Sequence, residues 1–256
     1  MPSSFPDHFS ATAAGYAAFR PHYPPALFAW LAAQAPARRR AWDCATGSGQ
    51  AAVALAAHFD FVVASDASQA QLARAESHAK VSYVAMTAER TALATASTDV
   101  ITVAQALHWF DRDAFFAEAE RVLAPGGVVA AWSYGPMALD GEQGAITYRF
   151  YAETVGPYWP PERSLVDTGY GRIEFPFDEV RPPDVRMEYE WTLAEVLGYM
   201  GTWSAVQVYR RERGTDPIPD LAAELAASWG DPQTRRTVRW PVSMRVGRAR
   251  KKTSTG

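Results

Sequence analysis

Short apolar runs alternate with stretches of helical spacing along the first half of the chain, and the switches between them predict its elements. Pro25 to Ala35 opens on proline and carries Leu27, Phe28 and Leu31 at helical spacing, so a helix is expected there. The runs 41–45 and Phe61–Asp66 read as buried strands, with the helix formers of 50–58 between them. Ser68 is placed to cap a further helix reaching about Ala79. Val81–Met86 and Asp99–Ala104 read as the third and fourth strands. Asp111 caps an amphipathic helix running to Leu123, and Val128–Trp132 follows the Pro125-Gly126-Gly127 turn as the fifth strand. Strands joined by helical crossovers pair in parallel and are covered on both faces, so these five predict a doubly wound α/β sheet.

Beyond Tyr134 the pattern changes. Glu142–Val155 keeps helical spacing, but Gly156-Pro157-Tyr158-Trp159-Pro160-Pro161 follows, and proline and aromatics dominate to about Pro183. That stretch is too irregular for another sheet unit and too aromatic for a solvated linker. We read 136–183 as a substrate-covering insertion between strands five and six. Val185–Trp191 alternates as strand six, helical segments span Thr192–Arg213 and Pro219–Ser228, and Arg236–Arg248 returns as the last strand. One domain over 1–256 is expected.

The chemistry concentrates in Asp43-Cys44-Ala45-Thr46-Gly47-Ser48-Gly49-Gln50, a glycine turn between the first strand and its helix, and in Asp66 at the end of the second strand. Both acids fall at the carboxyl ends of parallel strands, where open α/β sheets bind ligands. Two cofactor classes compete. Gly47-x-Gly49-x-x-Ala52 satisfies a dinucleotide fingerprint, with Asp66 about twenty residues on as its ribose-binding acid, which keeps an NAD(P)-dependent oxidoreductase as the alternative. Asp43 weighs against it: a carboxylate just ahead of the turn repels a diphosphate resting on the helix N-terminus. S-adenosylmethionine (SAM) carries no phosphate and has an ammonium and a sulfonium, so charge complementarity favours it.

On these residues the chain resembles the class I SAM-dependent methyltransferases, within them the small-molecule branch of methyltransferase type 11 and trans-aconitate methyltransferase-like proteins. The resemblance covers about residues 8–249 and implies a Rossmann-like, seven-stranded, mostly parallel sheet with the insertion as a cap. It implies that Asp43 helps hold the methionine amino group, that Gly47 and Gly49 line the cofactor with Ala45, and that Asp66, followed by Ala67, chelates the ribose hydroxyls. Ala88-Glu89 after the third strand would lie near the adenine, and Gln105 opens the run Gln105-Ala106-Leu107-His108-Trp109-Phe110 after the fourth. The stretch Tyr16 to Pro24, with Arg20, resembles an arm over the cofactor spanning 8–24, in which Tyr16 would touch cofactor and Arg20 the acceptor. One position departs from the family: Ala45 stands where its first turn glycine is usual.

Methyl transfer is a displacement at an activated carbon, so alignment and exclusion of water are the main tasks. A hydroxyl acceptor would gain from a base, for which His108 is the candidate; a carboxylate is already ionised and would need only a cation to hold it. Trp109, Trp132 and Tyr134 near strand ends are candidate pocket residues, with core packing their competing role. No Asn/Asp-Pro-Pro-aromatic turn follows strand four, which disfavours an amino acceptor. Asp111 and Asp113 are close in sequence, but Asp111 is explained as a cap, and no His/Cys cluster offers a transition-metal site, so no metal is expected. Oxygen of a small molecule is the favoured acceptor, and a non-catalytic SAM-binding protein is a third reading.

Global properties narrow the setting. The net charge of −3 gives no electrostatic case for a nucleic acid partner. Arg38-Arg39-Arg40 reads as a solvated turn, and Arg248, Arg250, Lys251 and Lys252 as a basic terminus. The single cysteine, Cys44, reads as a small buried residue and fits a reducing compartment. Without an apolar run of membrane length or a signal-peptide pattern at the start, a cytoplasmic location with no membrane partner is expected. Oligomeric state is not legible.

Overall fold

The computed structural model describes residues 21–249. Tyr16, Arg20 and most of the expected arm 8–24 therefore lie outside the described residues, as do Arg250, Lys251 and Lys252. The described residues divide into two compact units, one built from 23–134, 164–185 and 242–249, the other from 21–22, 135–163 and 186–241.

The first unit carries the expected sheet. Helix α1 (Pro25–Gln34) leads into β1 (Arg40–Cys44), followed by α2 (Gln50–Ala56), β2 (Phe61–Asp66), α3 (Gln69–Leu72), β3 (Val81–Ala85) and β4 (Thr98–Ala104). A 3-10 turn (Leu107–Trp109), α4 (Arg112–Val122) and β5 (Leu123–Tyr134) complete the parallel part. The strands lie in the order β3-β2-β1-β4-β5, all parallel, and the strand that closes the chain adds antiparallel to β5. β1, β4 and β5 are almost wholly buried, as their unbroken apolar runs require of central parallel strands. Asp99, itself buried, accepts from the Arg39 and Arg40 amides and so pins the start of β1, while the Arg39 guanidinium reaches the same carboxylate from a solvated position. Asp111 caps α4 as expected, accepting from the Ala114 amide.

The second unit holds α5 (Gly141–Arg149), which continues as a π turn through Thr154, together with β7 (Arg186–Trp191), α7 (Leu193–Gly201), α8 (Ser204–Arg213) and α9 (Ile218–Trp229). β7 pairs antiparallel with the first half of β8 (Arg236–Arg248). Its core is aromatic: Trp240 donates to the Tyr199 hydroxyl at 3.0 Å, and Trp191 packs edge-on against Trp240 at 4.9 Å.

Four expectations need correction. Among the described residues the strands number eight rather than seven, because Asp178–Glu179 forms a short β6 on the outer side of β8. The helix after Ser68 ends at Leu72, not Ala79, since backbone groups of Glu76 are drawn to Ser48 and Tyr83 instead of continuing the helix. Thr192–Arg213 is two helices, broken where Trp203 takes an extended backbone. The segment 136–183 is not one body: Val166, Tyr170, Ile173, Phe175 and Phe177 belong to the core of the sheet unit, with Phe116 edge-on to both Phe175 and Phe177 at 5.7 Å. The short helix α6 (Arg163–Asp167) marks the changeover.

Candidate active site

The carboxyl ends of β1, β2 and β4 bring most of the expected residues together. Asp43 sits in β1, paired in register with Thr102 of β4, and is only 1 % exposed. Its two oxygens are claimed by hydroxyls: Thr46 Oγ1 donates to Oδ2 at 2.5 Å and Thr102 Oγ1 donates to Oδ1 at 2.7 Å. Burial pushes its carboxyl up to about 6 despite these bonds, and the nearby Asp66 charge adds to the shift. The fold thus keeps an acid half ready to ionise under the turn. Burial likewise raises the Cys44 thiol, in keeping with a packing role.

The turn itself is drawn tight by backbone bonds, Thr46 N to Ser65 O at 2.9 Å and Gly49 N to Thr46 O at 3.0 Å. Gly47 and Gly49 take left-handed φ of 56° and 86°, and Ala45 does so at 54° without being glycine. A left-handed alanine costs about 1–2 kcal/mol, which explains why a glycine is usual at this place. Ala45→Gly is expected to leave stability unchanged or raise it by up to about 1 kcal/mol in urea unfolding, since the relief competes with glycine's greater unfolded entropy. A loss of stability would show that the turn does not strain Ala45.

Asp66, half-buried at the end of β2, accepts from the Gly47 amide at 2.9 Å and the Ser68 amide at 2.8 Å, and so ties the turn to the neighbouring strand. Ala67 beside it is exposed. Ala88 is buried, and the Glu89 carboxylate accepts from the Asp111 amide at 3.3 Å. Gln105 leaves β4 in a left-handed conformation, φ 58°, its amide bonded to Trp132 O. Such strained non-glycine residues gather at functional sites.

His108 lies in the turn after β4, 8 % exposed, with Nδ1 2.9 Å from the Tyr170 hydroxyl. Trp109 is half-buried against it, ring centroids 4.8 Å apart. Trp132 is placed elsewhere, fully buried in β5 against Tyr23 and Phe28, and Tyr134 packs near the same Tyr23. Thr46, Thr102 and Tyr170 are contacts that the sequence reading passed over. Among the described residues no group of three or more His, Cys, Asp or Glu could hold a metal ion, and no helix is long and apolar enough to cross a membrane.

Residues 42–131 match the family model described as a methyltransferase domain. A Dictyostelium discoideum protein bearing a provisional methyltransferase name is 32 % identical over 232 residues, covering 89 % of this chain and 88 % of its own. The chain belongs to the class I SAM-dependent methyltransferases. A solved Anaeromyxobacter dehalogenans chain, provisionally described as a type II methyltransferase, is 47 % identical, with a TM-score of 0.85 over 90 % of this chain and 98 % of that one. An uncharacterised methyltransferase of Mycobacterium tuberculosis is 32 % identical over 187 residues, 72 % of this chain and 70 % of its own.

With family membership the oxidoreductase alternative falls, and the cofactor of this methyltransferase is SAM. The described residues fit it. The turn has no lysine or arginine to meet a diphosphate, whereas two carboxylates lie at the strand ends beneath and beside it. Glycine is also required where the turn meets β3: a Cβ on Gly49 would overlap the Tyr83 hydroxyl, so only glycine lets that phenol close on the turn.

Proposed function

We propose that this methyltransferase transfers the methyl group to an oxygen of a small molecule, a carboxylate or a hydroxyl. The group the cofactor supplies is a methyl made electrophilic by its sulfonium. Asp43, Ala45, Gly47, Gly49, Asp66, Ala67, Ala88, Glu89 and Gln105 are the residues assigned to hold SAM. Each Asp66 oxygen has a lone pair beyond the amide bond it accepts, so the half-buried carboxylate can also take ribose hydroxyls. Asp43 supplies the negative charge for the cationic end of the ligand.

The observation that carries the acceptor reading is the His108–Tyr170 pair at the exit of β4. An imidazole and a phenol there can orient or deprotonate an oxygen, whereas residues 105–108 read Gln-Ala-Leu-His in place of the Asn/Asp-Pro-Pro-aromatic turn that would grip an amino group. The segment 164–183, which brings Tyr170 to His108, is assigned to the acceptor end.

Two experiments test this. Asp66→Ala should weaken SAM binding in calorimetry by about 1–3 kcal/mol with the fold intact, because charge-assisted hydrogen bonds are removed from a half-exposed strand end; equal affinity would contradict the cofactor assignment. A panel of small carboxylic acids, phenols, alcohols and amines, followed by mass spectrometry, should yield methyl esters or ethers. Methylation confined to amines, or to none of the panel, would sink the oxygen reading.

A further inference from the structure

Tyr170 is held with unusual firmness for a loop residue. It is fully buried, takes a left-handed φ of 61°, and its carbonyl accepts from Arg245 at 3.1 Å. The same guanidinium nitrogen donates to Ile173 O at 3.0 Å, while the other two bind Glu179 at 2.7 and 3.1 Å, and the cation lies 4.9 Å over the Phe175 ring. A bulky aromatic in this conformation stores backbone strain that the surroundings must hold in place. What the arrangement fixes is the phenol oxygen, 2.9 Å from His108 Nδ1, with the two rings tilted by 35°.

A neutral imidazole has one protonated and one bare nitrogen, and a phenol readily donates to the bare one. We propose that Tyr170 is the positioning residue of His108: its hydroxyl donates to Nδ1 and keeps the imidazole proton on Nε2. His108 then serves the reaction as a hydrogen-bond donor to an acceptor oxygen that is already ionised, and takes no proton from it. This inference rests on the oxygen-acceptor reading above for its second half; the tautomer stands apart from it.

The full chain labelled with 15N-histidine, recorded at a pH of about 8.5 where ordinary imidazoles are neutral, reports each tautomer directly. The resonance that vanishes in His108→Gln is expected to be the Nε2–H form, and Tyr170→Phe should shift it towards a mixture. An Nδ1–H form in the unaltered protein, or a spectrum indifferent to Tyr170→Phe, would overturn the proposal. With the best acceptor of the panel, His108→Gln keeps a donor near Nε2 and should retain kcat within about tenfold, whereas loss of a general base costs on the order of 10²–10⁴-fold. A His108→Gln variant as inactive as His108→Ala would overturn the donor role. If the panel yields no acceptor while the tautomer is as expected, the oxygen reading fails and the positioning of His108 survives.

Discussion

Asp43→Asn is expected to make the ligand-free protein more stable above neutrality while weakening its hold on SAM. The Asp43 carboxyl is raised to about 6 by burial, so the folded state binds its proton more tightly than the unfolded chain does. Stability from this group is therefore present in acid and lost as pH rises from about 4 through about 6. Above that window the ionised form costs the fold roughly 2–3 kcal/mol, which an amide does not incur. The Thr46 and Thr102 hydroxyls that donate to the carboxylate can rotate, so that one accepts from the new NH₂. Urea unfolding at pH 8 should show Asp43→Asn more stable by about 1–3 kcal/mol, and the gain should shrink through the window and vanish below about pH 4. SAM affinity should fall by about 10–100-fold, the usual cost of losing a charged partner. Equal stability at pH 8 would show that burial does not strain the carboxylate; equal affinity would show that its charge does not serve the ligand.

The second large effect belongs to Gly49. Its φ of 86° disfavours any side chain, and the added methyl would overlap Tyr83 Oη and lie 3.0 Å from Cζ. Tyr83 cannot retreat freely, because its hydroxyl donates to Glu76 O at 2.6 Å, and the Glu76 amide in turn donates to Ser48 O within the turn. Gly49→Ala should destabilise the protein by about 2–4 kcal/mol and abolish measurable SAM binding. Adding Tyr83→Ala should return part of that stability, leaving the left-handed strain of about 1–2 kcal/mol in place. Strictly additive losses in this double-mutant cycle would mean that the two residues do not compete for the same space.

The parallel sheet was legible because each central strand is an unbroken apolar run ending at a polar turn; Phe61–Asp66 and Arg236–Arg248 begin and end where their patterns do. The acids at the strand ends were legible for the same reason. The partners of Asp43 were harder to see, since Thr102, 59 positions further along the chain, meets it only through the pairing of β1 with β4, and the intervening chain is silent about strand order. A lone threonine inside the apolar run Val100-Ile101-Thr102-Val103 was the available signal. Tyr170 left no local signal at all, because its reach to His108 depends on the Arg245 clamp on a stretch without helical or strand period. The helix expected to Ala79 failed on tertiary bonds that override good helix propensity.

Asp43 must ionise to meet a cationic cofactor. Calorimetric titration of SAM near pH 6, repeated in buffers of different ionisation enthalpy, counts the protons exchanged on binding. Net proton release is expected from the unaltered protein and none from Asp43→Asn; release of the same size from both, or none from either, would show that Asp43 does not ionise for the ligand.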